Sequence, residues 1–313
     1  MVGHGAAWEA WRHAMQGERM HHAWLLAGKR GLGKGSFARA AAEELLGADD
    51  GGEHPDIITL THGPKNKDEA KKRDAGKPFE RARGIKVEQV RQAQQRLVTR
   101  PTLGDKRVII IDPADDMEKG ASNALLKSLE EPPAGTYFLL VAHSPARLLP
   151  TIRSRCRVVR FPTLDDAQMG SVLDSLAPGA DVSARQAAIA AARGSPGVAL
   201  TFLEYDLGKA SQIMQRILKE GDPGHSLRGQ LAGAIGGKQD IPRVQAVLSL
   251  ARGILADRID GASGNPEPLI HSHAQLVRLS GEQPTFNYDP GLLAMEIGTL
   301  LAQARGASER VNV

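Results

Sequence analysis

The chain has 313 residues, 41% hydrophobic and 24% charged, proportions that argue against a disordered or membrane-embedded chain and suit two or three folded domains. A single cysteine, Cys156, excludes an internal disulfide and a cysteine-built zinc site and points to a reducing compartment. The net charge is only +4, no apolar run approaches the ~18–20 residues that cross a bilayer, and the first residues lack a signal-peptide core, so a soluble cytoplasmic protein is expected.

In chain order, Trp8, Trp11 and Met15 fall at helical spacing and predict an opening helix with one apolar face. Residues 23–27 read as a short apolar strand entering a glycine-rich turn, and 36–46 as the helix after it. A second strand is expected at 56–61. Residues 63–83 hold eight Lys/Arg against four Asp/Glu, an excess equal to the net charge of the whole chain, and almost no apolar residues. That composition predicts a solvated hairpin or a mobile loop, the loop favoured, with only a weak contribution to DNA binding. A helix is expected at 87–98, then the β-branched run 108–112, of the kind buried on both faces of a parallel sheet. Helix 122–131 stops at Pro132-Pro133, and strands are expected at 137–142 and 158–161. This alternation predicts a doubly wound α/β domain. After Pro162 the pattern changes to three short helices at 165–177, 183–192 and 198–204. From Leu207 onward only helices are expected, the clearest at 244–259, where Val244, Val247, Leu248, Ala251, Leu255 and Ile259 form one stripe. The last, 292–304, begins after Pro290.

The glycine-rich turn reads Gly28-Lys29-Arg30-Gly31-Leu32-Gly33-Lys34-Gly35-Ser36, the G-x-x-x-x-G-K spacing of a Walker A loop between strand and helix. Gly28, Gly31 and Gly33 let backbone N–H groups curl round phosphates, and Lys34 is placed to reach the outer ones. The next position normally carries the Ser or Thr hydroxyl that binds Mg²⁺, yet here it is Gly35. Ser36 comes one residue late, rotated by about 100° on the helix. The bland alternative is a glycine turn that binds nothing. Asp112 ends its strand where a Walker B aspartate would hold Mg²⁺, and Pro113 stands where a glutamate would activate water. ATP binding is therefore expected at Gly28, Gly31, Gly33, Lys34, Gly35, Ser36 and Asp112, with Mg²⁺ left open. His21-His22 have no third ligand suitably spaced, so no metal site is assigned to them.

Two further motifs carry a resemblance. Asn123-Ala124-Leu125-Leu126-Lys127-Ser128-Leu129-Glu130-Glu131-Pro132-Pro133, followed after a strand by Thr151-Ile152-Arg153-Ser154-Arg155-Cys156, resembles the clamp-loader subunits of the AAA+ family. His54-Pro55-Asp56 and Ile85-Lys86-Val87-Glu88-Gln89-Val90-Arg91 are similar to its delta-prime branch. The resemblance is strong over about residues 20–205 and only architectural beyond. It implies an AAA+ P-loop domain at 1–162, a helical lid at 163–206 and an all-α collar at 207–313. It also implies that Arg155 is an arginine finger, reaching the ATP site of a neighbouring subunit, and a planar guanidinium suits phosphate oxygens. Departures from the ATP-hydrolysing members are plain. Residues 47–53 lack the cysteines of the family's zinc module, Gly197 stands at the sensor-2 arginine position, and sensor 1 falls on His143 or Ser144.

The function implied is that of a clamp-loader component of the DNA polymerase III holoenzyme, a DNA-directed nucleotidyltransferase, with weak or absent ATPase of its own. Implied partners are the motor subunits, the delta subunit, the sliding clamp and primer–template DNA, in a hetero-oligomer. One rival is a gamma/tau-type motor subunit, which Gly35, Pro113 and Gly197 oppose. The other is a small-molecule P-loop kinase, which leaves Ser154-Arg155-Cys156 unexplained.

Overall fold

A computed structural model describes residues 2–17, 20–48, 52–237, 240–262 and 264–305. It divides into two compact units, Met1–Leu164 and Asp165–Val313. Among its described residues the first holds five strands, β1 (Ala23–Ala27), β2 (Ile57–Leu60), β3 (Arg107–Ile111), β4 (Thr136–Ala142) and β5 (Arg157–Arg160). They form one sheet in the order β2-β3-β4-β1-β5, and every pairing is parallel. Among the described residues of this unit the α-helices are α1 (Gly5–Gln16), α2 (Lys34–Leu46), α3 (Lys67–Asp74), α4 (Val87–Leu97), α5 (Lys119–Glu130) and the single turn α6 (Pro150–Arg153).

The period of two in each strand sends alternate side chains to opposite faces. Leu25, Ile58, Ile109, Ile111, Phe138 and Leu140 share one core with Val90, Ala93 and Leu97 of α4 and Ala121, Leu125 and Leu129 of α5. On the other face Trp24 meets Trp11 of α1 edge-on at 5.1 Å, and Phe37 of α2 packs on Trp8 at 4.6 Å. Helices on both faces explain why all of β3 is buried. The expected doubly wound α/β architecture is thus present.

Residues 63–83 depart from the favoured loop. Asn66 caps α3 by accepting from the amides of Asp68 and Glu69, at 3.1 and 2.9 Å. Asp68 and Glu69 lie in the first turn and Lys71, Lys72 and Arg73 in the last, each sign at the favourable end of the helix dipole. An antiparallel bridge between Pro64 and Arg81 closes the base. The segment is therefore a hairpin-like arm with a helix in it, stabilised by capping and charge in place of an apolar face.

The second unit is all helix among its described residues: α7 (Asp166–Leu176), α8 (Val182–Ala192), α9 (Pro196–Glu204), α10 (Gly208–Glu220), α11 (Ser226–Ile235), α12 (Ile241–Asp260), α13 (Glu267–Phe286) and α14 (Pro290–Ala304). Val244, Val247, Leu248, Ala251 and Leu255 of α12 are buried along the expected stripe. α8 packs on α9 and also on α10 and α12. No described helix is long and apolar enough to cross a membrane.

Candidate functional site

β1 ends at Ala27 and the glycine loop leads into α2, at the carboxyl edge of the sheet where parallel α/β folds place their ligands. Gly31 and Gly33 take the left-handed φ values 83° and 77°, which a side chain would strain. A Cβ on Gly28 would run into the carbonyl oxygen of Phe161. The loop thus takes a turn that glycine at 31 and 33 allows without strain. Lys34 is buried, and its Nζ donates to the carbonyls of Gly28 at 2.7 Å and Lys29 at 2.6 Å. Burial lowers its pKa to about 8, against the pull of Asp112 and Asp115.

Asp112 follows β3 and faces the start of α2. Burial raises its carboxyl pKa, opposed by the charges of Lys34 and Arg30. A Cβ on Gly35 would overlap Asp112 Oδ2. The carboxylate thus occupies the space that a Ser or Thr side chain at 35 would take, and Ser36 is exposed. Phosphates fit this loop, whereas a hydrolytic Mg²⁺ set does not, because residue 35 supplies no hydroxyl and residue 113 no carboxylate. Among the described residues no group of three or more His, Cys, Asp and Glu is arranged to hold a metal. Ala23 N donates to His21 Nδ1 and the ring of His22 bonds Leu129 O, which accounts for that pair structurally.

Sequence reading passed over Asp115. Its buried carboxylate accepts from the amides of His143, at 3.0 Å, and Ser144, at 2.7 Å, tying the end of β4 to the turn after β3. Of these two residues, His143 has its ring in the field of Lys34. Burial first, and that ammonium second, lower the His143 pKa to about 4. Next to it, His62 Nε2 lies 3.2 Å and Arg147 3.1 Å from the Asp116 carboxylate. In the second unit Gly197 lies in the first turn of α9. The nearby Arg193 is paired with Asp257, at 2.6 Å, and with Asp260.

Arg155 stands elsewhere. Arg157 pairs with Trp24 near the start of β1, and the strands are parallel, so Arg155 precedes the amino edge of the sheet while the glycine loop leaves the carboxyl edge. The strand between them spans about 13 Å at ~3.3 Å per residue, too far for Arg155 to serve its own loop. Its guanidinium is partly exposed, 2.6 Å from Glu130 Oε1, and donates to Thr151 O at 2.9 Å. Cys156 is half-buried against the core, and burial pushes its thiol pKa up to about 12, which favours the protonated thiol at neutral pH.

Residues 3–165 match a family model described as DNA polymerase III, delta subunit. The chain belongs to that family. Among relatives in the delta-subunit group, it is 35% identical over 191 residues to the DNA polymerase III subunit delta' of Pseudomonas aeruginosa. It is 30% identical over 219 residues to the subunit delta' of Escherichia coli. These matches cover 56% and 65% of this chain, and 53% and 60% of the relatives, so the chain spans little more than half the length of the curated relatives it matches. Both support the delta-prime resemblance read from the motifs. A solved DNA polymerase III gamma subunit-related protein of Thermotoga maritima is 17% identical with a TM-score of 0.47, over 96% of this chain and 99% of that one.

Proposed function

We propose that this chain is a clamp-loader subunit of the DNA polymerase III holoenzyme that lends Arg155 to the ATP site of a neighbouring subunit and turns over little or no ATP itself. The observation that carries the reading is the separation of Arg155 from Lys34 across the sheet, in a chain of the delta-subunit family. An arginine placed at the far edge and partly exposed is available to a second subunit and not to its own loop. There it would bind phosphate oxygens and stabilise charge on the transferring phosphoryl group. Gly35, Pro113 and Gly197, which supply no metal hydroxyl, no base and no sensor charge, support the absence of turnover at this chain's own loop.

The motor subunits, the delta subunit, the sliding clamp and primer–template DNA are the proposed partners. Residues 163–206 are proposed as the lid and 207–313 as the collar of the hetero-oligomer. The test has two parts. The isolated chain should hydrolyse ATP negligibly, and it should co-elute with the motor and delta subunits. Turnover near ~1 s⁻¹, the low end of ordinary enzymes, would make it a motor, and failure to co-elute would remove it from the assembly.

A further inference from the structure

We infer that the arm at residues 63–83 is a docking surface for the phosphate backbone of nucleic acid, formed by Lys67, Lys77, Arg81 and Arg83. Counted by residue type, the arm has a mixed charge; the pairing in the structure sorts it. Each of its four acids is engaged by a basic neighbour: Asp68 by Lys71 at 3.4 Å, Glu69 by Lys72 at 2.7 Å, Asp74 by Arg73 at 2.8 Å and Glu80 by Lys65 at 2.8 Å. Lys67, Lys77, Arg81 and Arg83 are exposed and have no ion pair among the described residues. The local excess of positive charge is therefore carried by four side chains that nothing within the described chain neutralises.

The arm is also preformed. Glu80 N donates to Glu69 Oε2 at 2.7 Å, Ala82 N to Gly63 O at 2.7 Å and Lys65 N to Glu80 O at 2.9 Å, so ordering it on contact costs little. It leaves the carboxyl end of β2, an edge strand of the sheet, so no neighbouring strand lies beyond it on that side. Its chemistry selects the partner. Protein interfaces bury apolar anchors at their centre and are depleted in lysine there, whereas this surface offers Phe79, over which Arg81 lies at 5.6 Å, and otherwise cations. A phosphate backbone needs cations alone, and contacts to it carry no base sequence. The choice of primed DNA rests on the clamp-loader reading; the phosphate chemistry does not.

The full chain is titrated with a fluorescent primed duplex, by anisotropy, between about 50 and 200 mM salt. The variant Lys67→Gln, Lys77→Gln, Arg81→Gln, Arg83→Gln should bind at least about tenfold more weakly at intermediate salt. Its log–log salt slope should be shallower by about two to four, near one for each phosphate that is no longer neutralised. A charge-neutral control, Asp68→Ala with Lys71→Ala and Arg73→Ala with Asp74→Ala, should bind like the parent chain. Unchanged affinity and slope in the fourfold variant, an equal loss in the control, or no DNA binding by the parent would each overturn the inference. Displacement of the DNA by polyglutamate as readily as by an oligonucleotide would overturn the commitment to nucleic acid. Co-elution with the motor and delta subunits, measured on the same preparations, reports separately on the clamp-loader reading.

Discussion

Gly35 and Asp112 show how closely one residue position limits what this phosphate loop can do. A side chain at 35 must displace the Asp112 carboxylate, which faces Lys34. Gly35→Thr is therefore expected to turn the Asp112 carboxylate aside with only a small change in stability, and to confer no ATPase, because residue 113 still supplies no base. Urea denaturation and a steady-state assay check both, and new turnover would contradict the expectation. His143 gives a second test. Its folded pKa of about 4 lies below its ordinary 6.5, so the native state binds this proton less readily than the unfolded chain. Stability should rise with pH between about 4 and 6.5 and be lost as pH falls through that window. Its ring resonances should titrate near 4, and in Lys34→Met the midpoint should move up because a neighbouring ammonium is gone; a midpoint above 6 in the parent chain would refute the burial. Gly35, Ser36 and Pro113 stand out in the sequence because a motif fixes what each position should supply. His143 was not separable from Ser144, because the Asp115 carboxylate that holds both amides comes from a different turn.

Among the elements, β3 was legible because a β-branched run without polar interruption has few other places to go than a covered parallel sheet. α3 was not, since its stability comes from the Asn66 cap and charge placement and not from an apolar period. The His54-Pro55-Asp56 motif also acquires a physical reason only in three dimensions. Asp56 is fully buried and accepts from the amides of Thr102, at 2.8 Å, and Leu103, at 2.7 Å, and from Arg107, at 3.1 Å. Burial pushes its pKa up, yet those amides and the guanidinium hold it below the ordinary carboxylate value. Asp56→Ala would leave Arg107 buried without its partner at the start of β3 and should cost about 3–5 kcal/mol. Chemical denaturation measures it, and a loss below about 1 kcal/mol, the scale of a surface pair, would show that the node is dispensable.

Across the whole molecule, the sequence changes character after Pro162, and the boundary between the two compact units lies at Leu164–Asp165. The composition there shifts from β-branched strands to alanine-rich helices. Whether an apolar stripe of the second unit packs within the chain or on a neighbouring subunit was not legible, since both have the same period. The proposed role puts this chain's chemistry at another subunit's site. Clamp-loader ATPase, stimulated by clamp and primed DNA, is to be measured in complexes reconstituted with Arg155→Ala or Lys34→Ala in this chain. Arg155→Ala should leave assembly intact, because its pairing with Glu130 is partly exposed. It should lower the rate on the order of tenfold, less than the ~10³–10⁵ a finger is worth in GTPases, because the other sites keep their own. Arg155→Lys should restore little, and Lys34→Ala should do much less than Arg155→Ala. A crippling Lys34→Ala beside a silent Arg155→Ala would make this chain a motor and contradict the account.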